Sequence, residues 1–427
     1  MKMKLTRRRF LKRASATAVA AVALPTIVPS SVFGADAPSN RITMSHIGVG
    51  GQGSGLMRGF VGLKDCQSVA VADPFKSRQK RAADYINKRY GGKVCKMYGD
   101  FREMLARDDI DGVVIATPDH WHVPAALEAA RTGKDMYVEK PLGLCHKWNT
   151  ALREAIQRNG RMFQYGTQQR SSAHLRVACE LVLSGRIGKV KKIEVHAPAG
   201  ASGGSTKPIP VPDDLDYNMW LGPAPWSPYT QHRCTNAGAW HVYDNSIGFL
   251  GGWGAHPLDI GVWGWDLEGA VPVEIEGTGR IPTEGLFSTV THWKVRGRFA
   301  DGTEFKFIDG GDLTIFYGTK GRVQVGRGRN KFRTDPPSLA TSTIGPNDVH
   351  LQVSRHHQHN LIEAMKTRTH PVSNIVDAVR SDTISHLSDI AIRTGRKIKW
   401  DPKAEQIIGD DQAARMLGRA MRAPWRL

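Results

Sequence analysis

The segment that narrows the fold most sharply is a glycine turn, Ile47-Gly48-Val49-Gly50-Gly51-Gln52-Gly53, at the end of the apolar run Ile42–Ile47. Gly48, Gly50 and Gly53 have G-x-G-x-x-G spacing between a strand and a helix. In such a turn the first glycine permits the tight reversal and the second lets the backbone approach a pyrophosphate. The third lets helix and strand pack closely. The helix that follows, with Gln52 at its start, turns its N-terminus toward the negative charge. Asp73 closes the next predicted strand, 25 residues after Gly48, where a carboxylate can bond the adenosine ribose 2′-hydroxyl. An acid there repels a 2′-phosphate, so NAD is favoured as cofactor over NADP, while Lys76 and Arg78 nearby keep NADP open.

From Arg41 to Gly166 short apolar runs alternate with amphipathic ones. Predicted strands are Ile42–Ile47, Ser68–Ala72, Val94–Tyr98, Gly112–Thr117, Asp135–Glu139 and Met162–Tyr165, with helices at 54–63, 75–89, 123–131 and 147–158 between them. That alternation calls for an α/β fold, a Rossmann-type, doubly wound parallel sheet. After Gly166 the texture changes. A helix (Ala173–Ser184) and a strand (Lys189–His196) precede an irregular stretch, 197–252, rich in Gly, Pro and aromatics. Long strands follow, Ser288–Phe299 and Glu304–Ile308 about the turn Ala300-Asp301-Gly302-Thr303, then a pair about Thr319-Lys320-Gly321. Helices at 355–366 and 376–393 close the chain. The second domain is therefore expected to be α+β, with a large, mostly antiparallel open sheet.

The N-terminus, Thr6-Arg7-Arg8-Arg9-Phe10-Leu11-Lys12 followed by an alanine-rich run from Ala14 to Val28, resembles a twin-arginine (Tat) export signal. The run is short and contains Pro25, so no stable membrane anchor is expected. Ala35-Asp36-Ala37 offers a cleavage site. The expected organisation is a signal at 1–37, a dinucleotide-binding domain at 38–166 and a substrate-binding and oligomerisation domain at 167–427. Export would engage the Tat machinery and place the protein in the periplasm. Removing residues 1–37 takes away seven basic residues and Asp36, leaving a net +13 of the original +19. The remaining charges are scattered, so no nucleic-acid partner is expected. Five dispersed cysteines (Cys66, Cys95, Cys145, Cys179, Cys234) without a C-x-x-C pair predict neither a disulfide framework nor a metal site.

Two segments end predicted strands at the carboxyl edge, where open α/β sheets keep their ligands. They are Thr117-Pro118-Asp119-His120-Trp121-His122 and Tyr137-Val138-Glu139-Lys140-Pro141. With the glycine turn and Gly254-Ala255-His256-Pro257-Leu258-Asp259, they give a chain that resembles the glucose–fructose oxidoreductase / inositol dehydrogenase / rhizopine catabolism (Gfo/Idh/MocA) family over residues 41–400. The resemblance implies that Lys140 lies beside the nicotinamide and touches the reacting hydroxyl, where an amine can accept or relay a proton. It makes His256 the substrate-side general acid/base, and places Thr117, His122 and Glu139 on the cofactor side. Many relatives carry an aspartate four residues before that histidine. Here Gly252 stands in its place, implying a shortened relay or an acid from the variable loop such as Asp244. Gln168, Gln169 and Arg170 follow the sixth strand and would face the same cleft, with Asp259 as an orienting acid. The resemblance also implies a homo-oligomer.

The stretch from Asp214 onward supplies Trp220, Trp226, Tyr229, Trp240, Tyr243 and Trp253, flat faces suited to the C–H patches of a carbohydrate, beside the polar Arg233, His241 and Asp244. The expected substrate is a small carbohydrate or cyclitol, oxidised at a secondary hydroxyl, with a tightly bound cofactor recycled in place. The alternative is an NAD-dependent glycosidase or lyase that oxidises a ring carbon transiently and eliminates the glycosidic group.

Overall fold

Strands β1 (Ile42–Ile47), β2 (Cys66–Ala72), β3 (Lys96–Tyr98), β4 (Gly112–Ile115), β5 (Asp135–Val138) and β6 (Phe163–Tyr165) form the first sheet. Every residue of β4 and β5 is buried, as strands covered by helices on both faces require. All pairings are parallel and the order is β3-β2-β1-β4-β5-β6. The expected parallel sheet is thus present, with helices α1 (Gly51–Val61), α2 (Lys76–Tyr90), α3 (His122–Arg131) and α4 (His146–Arg158) between its strands. Helix α1 begins three residues earlier than predicted, inside the glycines, because its first turn is backbone facing a cleft rather than an apolar stripe. The computed structural model describes residues 41–265 and 271–427. The twin-arginine run, the alanine-rich segment and the cleavage motif lie outside the described residues.

Helix α5 (Ala173–Leu183) leads into the second sheet. Its strands are β7 (Val190–Ala197), β8 (Glu274–Arg280), β9 (His292–Arg298), β10 (Glu304–Asp309), β11 (Leu313–Gly318), β12 (Arg322–Val325), β13 (Arg333–Asp335), β14 (Ile398–Asp401) and β15 (Gln406–Ile407). The order is β13-β12-β11-β7-β10-β9-β8-β14-β15, antiparallel except for the parallel pair β7–β10. Exposure alternates along β9 and β10, so one face meets the core and the other water. Trp293, Phe305, Phe307 and Phe316 fill that core. The turn before β10 closes as expected, with Phe299 N–H donating to Thr303 O and Gly302 at φ +88°.

Helices α6 (Ala255–Trp263), α7 (His357–Thr367) and α8 (Ile375–Thr394) complete the frame. Every residue of α6 is buried, and the helix packs between α8 and β11. Strand β8 escapes sequence reading because Gly277 and Gly279 give it a loop-like composition. A Cβ on Gly279 would lie 2.9 Å from Ile392, so helix–sheet packing demands the glycine. The irregular stretch holds three short helices, at Tyr217–Leu221, Asn236–His241 and Phe249–Gly252. Residues 42–427 form one compact unit. Among the described residues no helix is long and apolar enough to cross a membrane.

Candidate active site

The strand order reverses between β1 and β4, and a cleft of about 450 Å3 opens at the carboxyl ends of these strands. Gly48 sits at φ +79°, and a Cβ on it would lie 2.6 Å from the Ala116 carbonyl oxygen. A Cβ on Gly53 would lie 1.9 Å from Gly48 O. The two turns after β1 and β4 therefore meet backbone to backbone, leaving no room for side chains. Gly50, Gly51, Gln52 and Thr117 line the cleft, and the first turn of α1 carries no acid. The Thr117 hydroxyl is buried without a partner. An open backbone cradle, an unopposed helix N-terminus and a free hydroxyl fit a dinucleotide pyrophosphate.

Asp73 lines the same end of the cleft and also braces the turn. Its Oδ2 accepts from Val49 N–H and its Oδ1 from Phe75 N–H, each at 2.9 Å. Burial raises this carboxyl, against the pull of the Arg78 charge. Arg78 also lines the cleft, its guanidinium 3.9 Å above the Phe75 ring.

The other end is built around Glu139-Lys140-Pro141. Glu139 is buried, and its Oε1 accepts from Gln52 Nε2 at 3.0 Å and from Gln168 Nε2 at 2.7 Å. Its Oε2 accepts from Lys140 N–H at 3.2 Å. One carboxylate thus ties three strands' worth of loop to the cleft floor. Lys140 projects into the cleft with its Nζ 5.6 Å from the centre of the Trp240 ring. Opposite, His256 enters from α6. Burial, reinforced by the charge of Lys140, holds it well below the ordinary imidazole range, so it is neutral at pH 7. Its Nδ1 is buried without a partner. Trp253 and Arg327 complete that wall, the guanidinium 5.3 Å from the indole centre.

Asp119 was not among the residues singled out from the sequence. It is buried, and Oδ2 accepts from Ser246 Oγ at 2.6 Å. Burial pushes it up to about 7, with Ser246 and Lys140 opposing and Asp382 adding to the rise. A Cβ on Gly252 would lie 3.9 Å from Asp119 Oδ2. Asp244, the acid expected to compensate for Gly252, is exposed and does not line the cleft. Arg327 was missed as well, since it comes from the loop after β12.

Several other expected site residues sit outside the cleft lining. His122 is buried beneath it, with Nδ1 2.6 Å from Pro141 O and Nε2 2.9 Å from Thr117 O. It packs between the two loops and can donate to only one of these carbonyls, since burial lowers it to about 4 and leaves the ring neutral with a single N–H. Arg170 and Asp259 come together with each other rather than with the cleft. Arg170 Nε and Nη2 donate to Asp259 at 2.7 and 2.6 Å, and Nη1 donates to Asp377 at 2.7 Å. Asp259 is fully buried, so its orienting partner is an arginine and not a ligand. Gln169 is also buried. Tyr243 donates to Asp389 Oδ2 at 3.1 Å, and its ring lies 3.4 Å from the Arg393 guanidinium and 3.9 Å from that of Arg419. Of the aromatic set, Trp220, Trp240 and Trp253 line the cleft, Trp226 is exposed, and Tyr229 packs edge-on against Tyr217. Arg233 and His241 are buried off the cleft. No group of three or more metal-ligating side chains occurs among the described residues.

Residues 42–167 match the model of the oxidoreductase family NAD-binding Rossmann fold, and residues 181–427 match that family's C-terminal alpha/beta domain. A glycosyl hydrolase family 109 protein of Shewanella baltica is 33% identical over 186 residues, which is 38% of this chain and 40% of that relative. The chain thus spans less than half of that relative's length. Among solved structures, the WlbA dehydrogenase of Chromobacterium violaceum, in complex with NADH and UDP-GlcNAcA, superposes with a TM-score of 0.64 at 14% identity, covering 85% of this chain and 96% of that one. The aldose-aldose oxidoreductase of Caulobacter crescentus, complexed with glycerol, does so with a TM-score of 0.61 at 19% identity, covering 84% and 99%. With both domain models matched in order along a cleft of this architecture, the chain belongs to the Gfo/Idh/MocA oxidoreductase family, with its NAD-binding Rossmann fold.

Proposed function

We propose that this protein is an exported oxidoreductase that acts on a secondary hydroxyl of a sugar, glycoside or cyclitol and retains its nicotinamide between turnovers. The observation that carries the reading is that Lys140 and a neutral His256, its Nδ1 buried without a partner, line the same cleft as the Gly48 turn. A bound nicotinamide supplies the hydride acceptor. Lys140 takes the hydroxyl proton, and His256 orients the hydroxyl or shares that proton. Trp240 and Trp253 offer apolar faces to the carbon skeleton, and the names of the solved neighbours, one an aldose-aldose oxidoreductase, favour a carbohydrate. Asp73 at the ribose end supports NAD over NADP, whereas Arg78 beside it would welcome a 2′-phosphate. The twin-arginine segment favours the periplasm, where no pool of free NAD replaces a lost cofactor. Exchange between two sugars in one site meets that demand. A homo-oligomer assembled through the open face of the second sheet belongs to the same reading.

A second reading has its own support, in the relative named as a family 109 glycosyl hydrolase. Oxidation of a ring carbon acidifies the adjacent C–H. His256, uncharged and with a free nitrogen, takes that proton as the glycosidic oxygen leaves. Addition of water and return of the hydride then leave hydrolysis as the net result. Incubating the holoprotein with free sugars and with aryl glycosides, without added NAD, separates the two. Reduction of bound nicotinamide that a second carbonyl compound reverses supports the exchange oxidoreductase. Phenol release with no net change in nicotinamide absorbance supports the glycosidase. Neither response on a broad panel removes both.

A further inference from the structure

Helix α2 begins without a cap of its own. Phe75 stands at the N-cap position, where its side chain accepts no hydrogen bond, and the first turn carries no acid. The first amides of a helix need acceptors, and here they come from 137 residues away. Asp214 O accepts from Lys76 N–H at 3.0 Å. Its carboxylate accepts from Ser77 N–H at 2.8 Å through Oδ1 and from Ser77 Oγ at 2.5 Å through Oδ2. The chain then runs antiparallel to the loop before α2. Leu215 bridges Phe75, and Asp216 N–H donates to Pro74 O at 2.9 Å. Leu215 is buried, with Phe75 packed against its cluster. Pro74 and Arg78 line the cleft beside Asp73, so this junction sits at the ribose end. From there the segment follows the cleft. Met219 and Trp220 line it, and Trp121 Nε1 donates to Met219 O at 3.0 Å. Asn236 lines it farther on, and a Cβ on Gly51 would lie 3.5 Å from Asn236 Nδ2. One stretch of the second domain thus grips α2 and reaches contact distance of the glycine turn.

We propose that residues 213–236 form a clasp that bars the nucleotide's way out, and that Asp214 is the positioning residue that latches it to α2. The inference deepens the reading above, in which the nicotinamide stays bound between turnovers, and rests on it. The cleft has the glycine turn on one side and this segment on the other. A dinucleotide leaving it displaces the segment, which breaks the bonds of Asp214 and uncovers Leu215. Opening of the clasp therefore limits release. The latch is well made for that role, because its carboxylate makes charge-assisted bonds at the positive end of a helix dipole.

The measurement is cofactor exchange without substrate. Holoprotein loaded with NAD and freed of unbound nucleotide is mixed with a large excess of NADH, and the exchange is followed by nicotinamide fluorescence. Asp214→Ala should speed release about tenfold, the scale of a hydrogen bond to a charged group. Asp214→Asn, which keeps an acceptor for Ser77 N–H, should restore most of the slow release. Ser77→Ala should act in the same direction, and its effect should not add to that of Asp214→Ala, since both break one contact. Asp410→Ala is the control for a merely structural role. It removes a comparable carboxylate cap from the helix Asp411–Arg415, outside the cleft lining, and should lower the urea midpoint while leaving release unchanged. If Asp214→Ala does not fold, Ser77→Ala carries the test. Slow wild-type release that these variants leave within twofold, or an equal acceleration in Asp410→Ala, overturns the clasp alone. Wild-type release complete within the mixing time strikes the retained-cofactor reading, and the clasp with it.

Discussion

Gly53→Ala is the sharpest probe of the cofactor cradle. The added Cβ would lie 1.9 Å from Gly48 O and 2.9 Å from Gly48 C. Both are backbone atoms, so no side chain can swing away, and α1 must retreat from β1 by more than an ångström. Overpacking costs about 1–3 kcal/mol in ordinary cores, and a rigid partner puts this site at the upper end. Alanine returns about 1 kcal/mol in helix propensity, leaving a net loss of about 2 kcal/mol. The same retreat pulls Gly50 and Gly51 from the pyrophosphate position, and nicotinamide affinity should fall at least tenfold, about 1.4 kcal/mol. Gly55 provides the control. It lies in the same helix, exposed, and a Cβ there would meet nothing within 4 Å. Gly55→Ala should therefore stabilise by about 0.5–1 kcal/mol and leave affinity alone. Urea unfolding of the cofactor-stripped variants and fluorescence titration with NADH measure both quantities. If Gly53→Ala unfolds at or above the urea midpoint of Gly55→Ala, the argument from close helix–strand packing is wrong.

Lys140→Ala should lower turnover by a hundredfold or more while nicotinamide stays bound; undiminished single-turnover hydride transfer would remove this amine from the mechanism. Arg170→Met should cost about 3–5 kcal/mol, because it strands the buried Asp259; Arg170→Met with Asp259→Leu should regain much of that in urea unfolding, whereas a substrate-binding role would leave stability untouched in both. His46 and His386 are lowered to about 3, and His120, His122, His146 and His357 to about 4, by burial. The unfolded chain takes up protons below about pH 6.5 that the folded protein refuses, so stability should fall from there toward pH 4 at about 1.4 kcal/mol per pH unit for each histidine. Asp119 and Asp382, raised to about 7, keep protons in the folded state and offset only part of that slope. Urea midpoints at pH 7, 6 and 5 test the trend. His386→Gln, which can still donate to Gly143 O, should make the acid limb shallower by about one proton.

What was legible in the sequence follows from how far each residue's partners lie along the chain. The Gly48 turn, Asp73 and Lys140 announce themselves through neighbours within a strand–turn–helix unit, and the structure gathers them at one crevice. The parallel, doubly wound sheet followed from the same local alternation, though its strand order did not. Arg170, Asp259 and Tyr243 look equally exposed on paper, being polar residues in or beside loops. Their hydrogen-bond partners stand 89 and 146 residues away, Arg170 to Asp259 and Tyr243 to Asp389, and no local pattern foretells that these pairs consume one another. Asp119 illustrates the converse. It belongs to a segment marked from the start, but its character depends on Ser246, 127 residues on, and on its burial beside the side-chain-free Gly252.

That asymmetry divides the cleft physically. Its cofactor wall is made of backbone, where glycines at 48 and 53 are enforced by contacts under 3 Å and any side chain is excluded. The facing wall is made of side chains, Trp240, Trp253, His256 and Arg327, delivered by the irregular stretch, by α6 and by a loop of the second sheet. Backbone walls tolerate almost no substitution. A wall of side chains can be re-cut one residue at a time without moving the sheet behind it. Changes of substrate in such an architecture should therefore map to residues 197–256 and to position 327, while the turn at 48–53 stays as it is. Exchanging Arg327 for a neutral residue should redistribute activity among anionic and neutral sugars before it alters nicotinamide affinity. The opposite order of effects would mean that the guanidinium serves the cofactor.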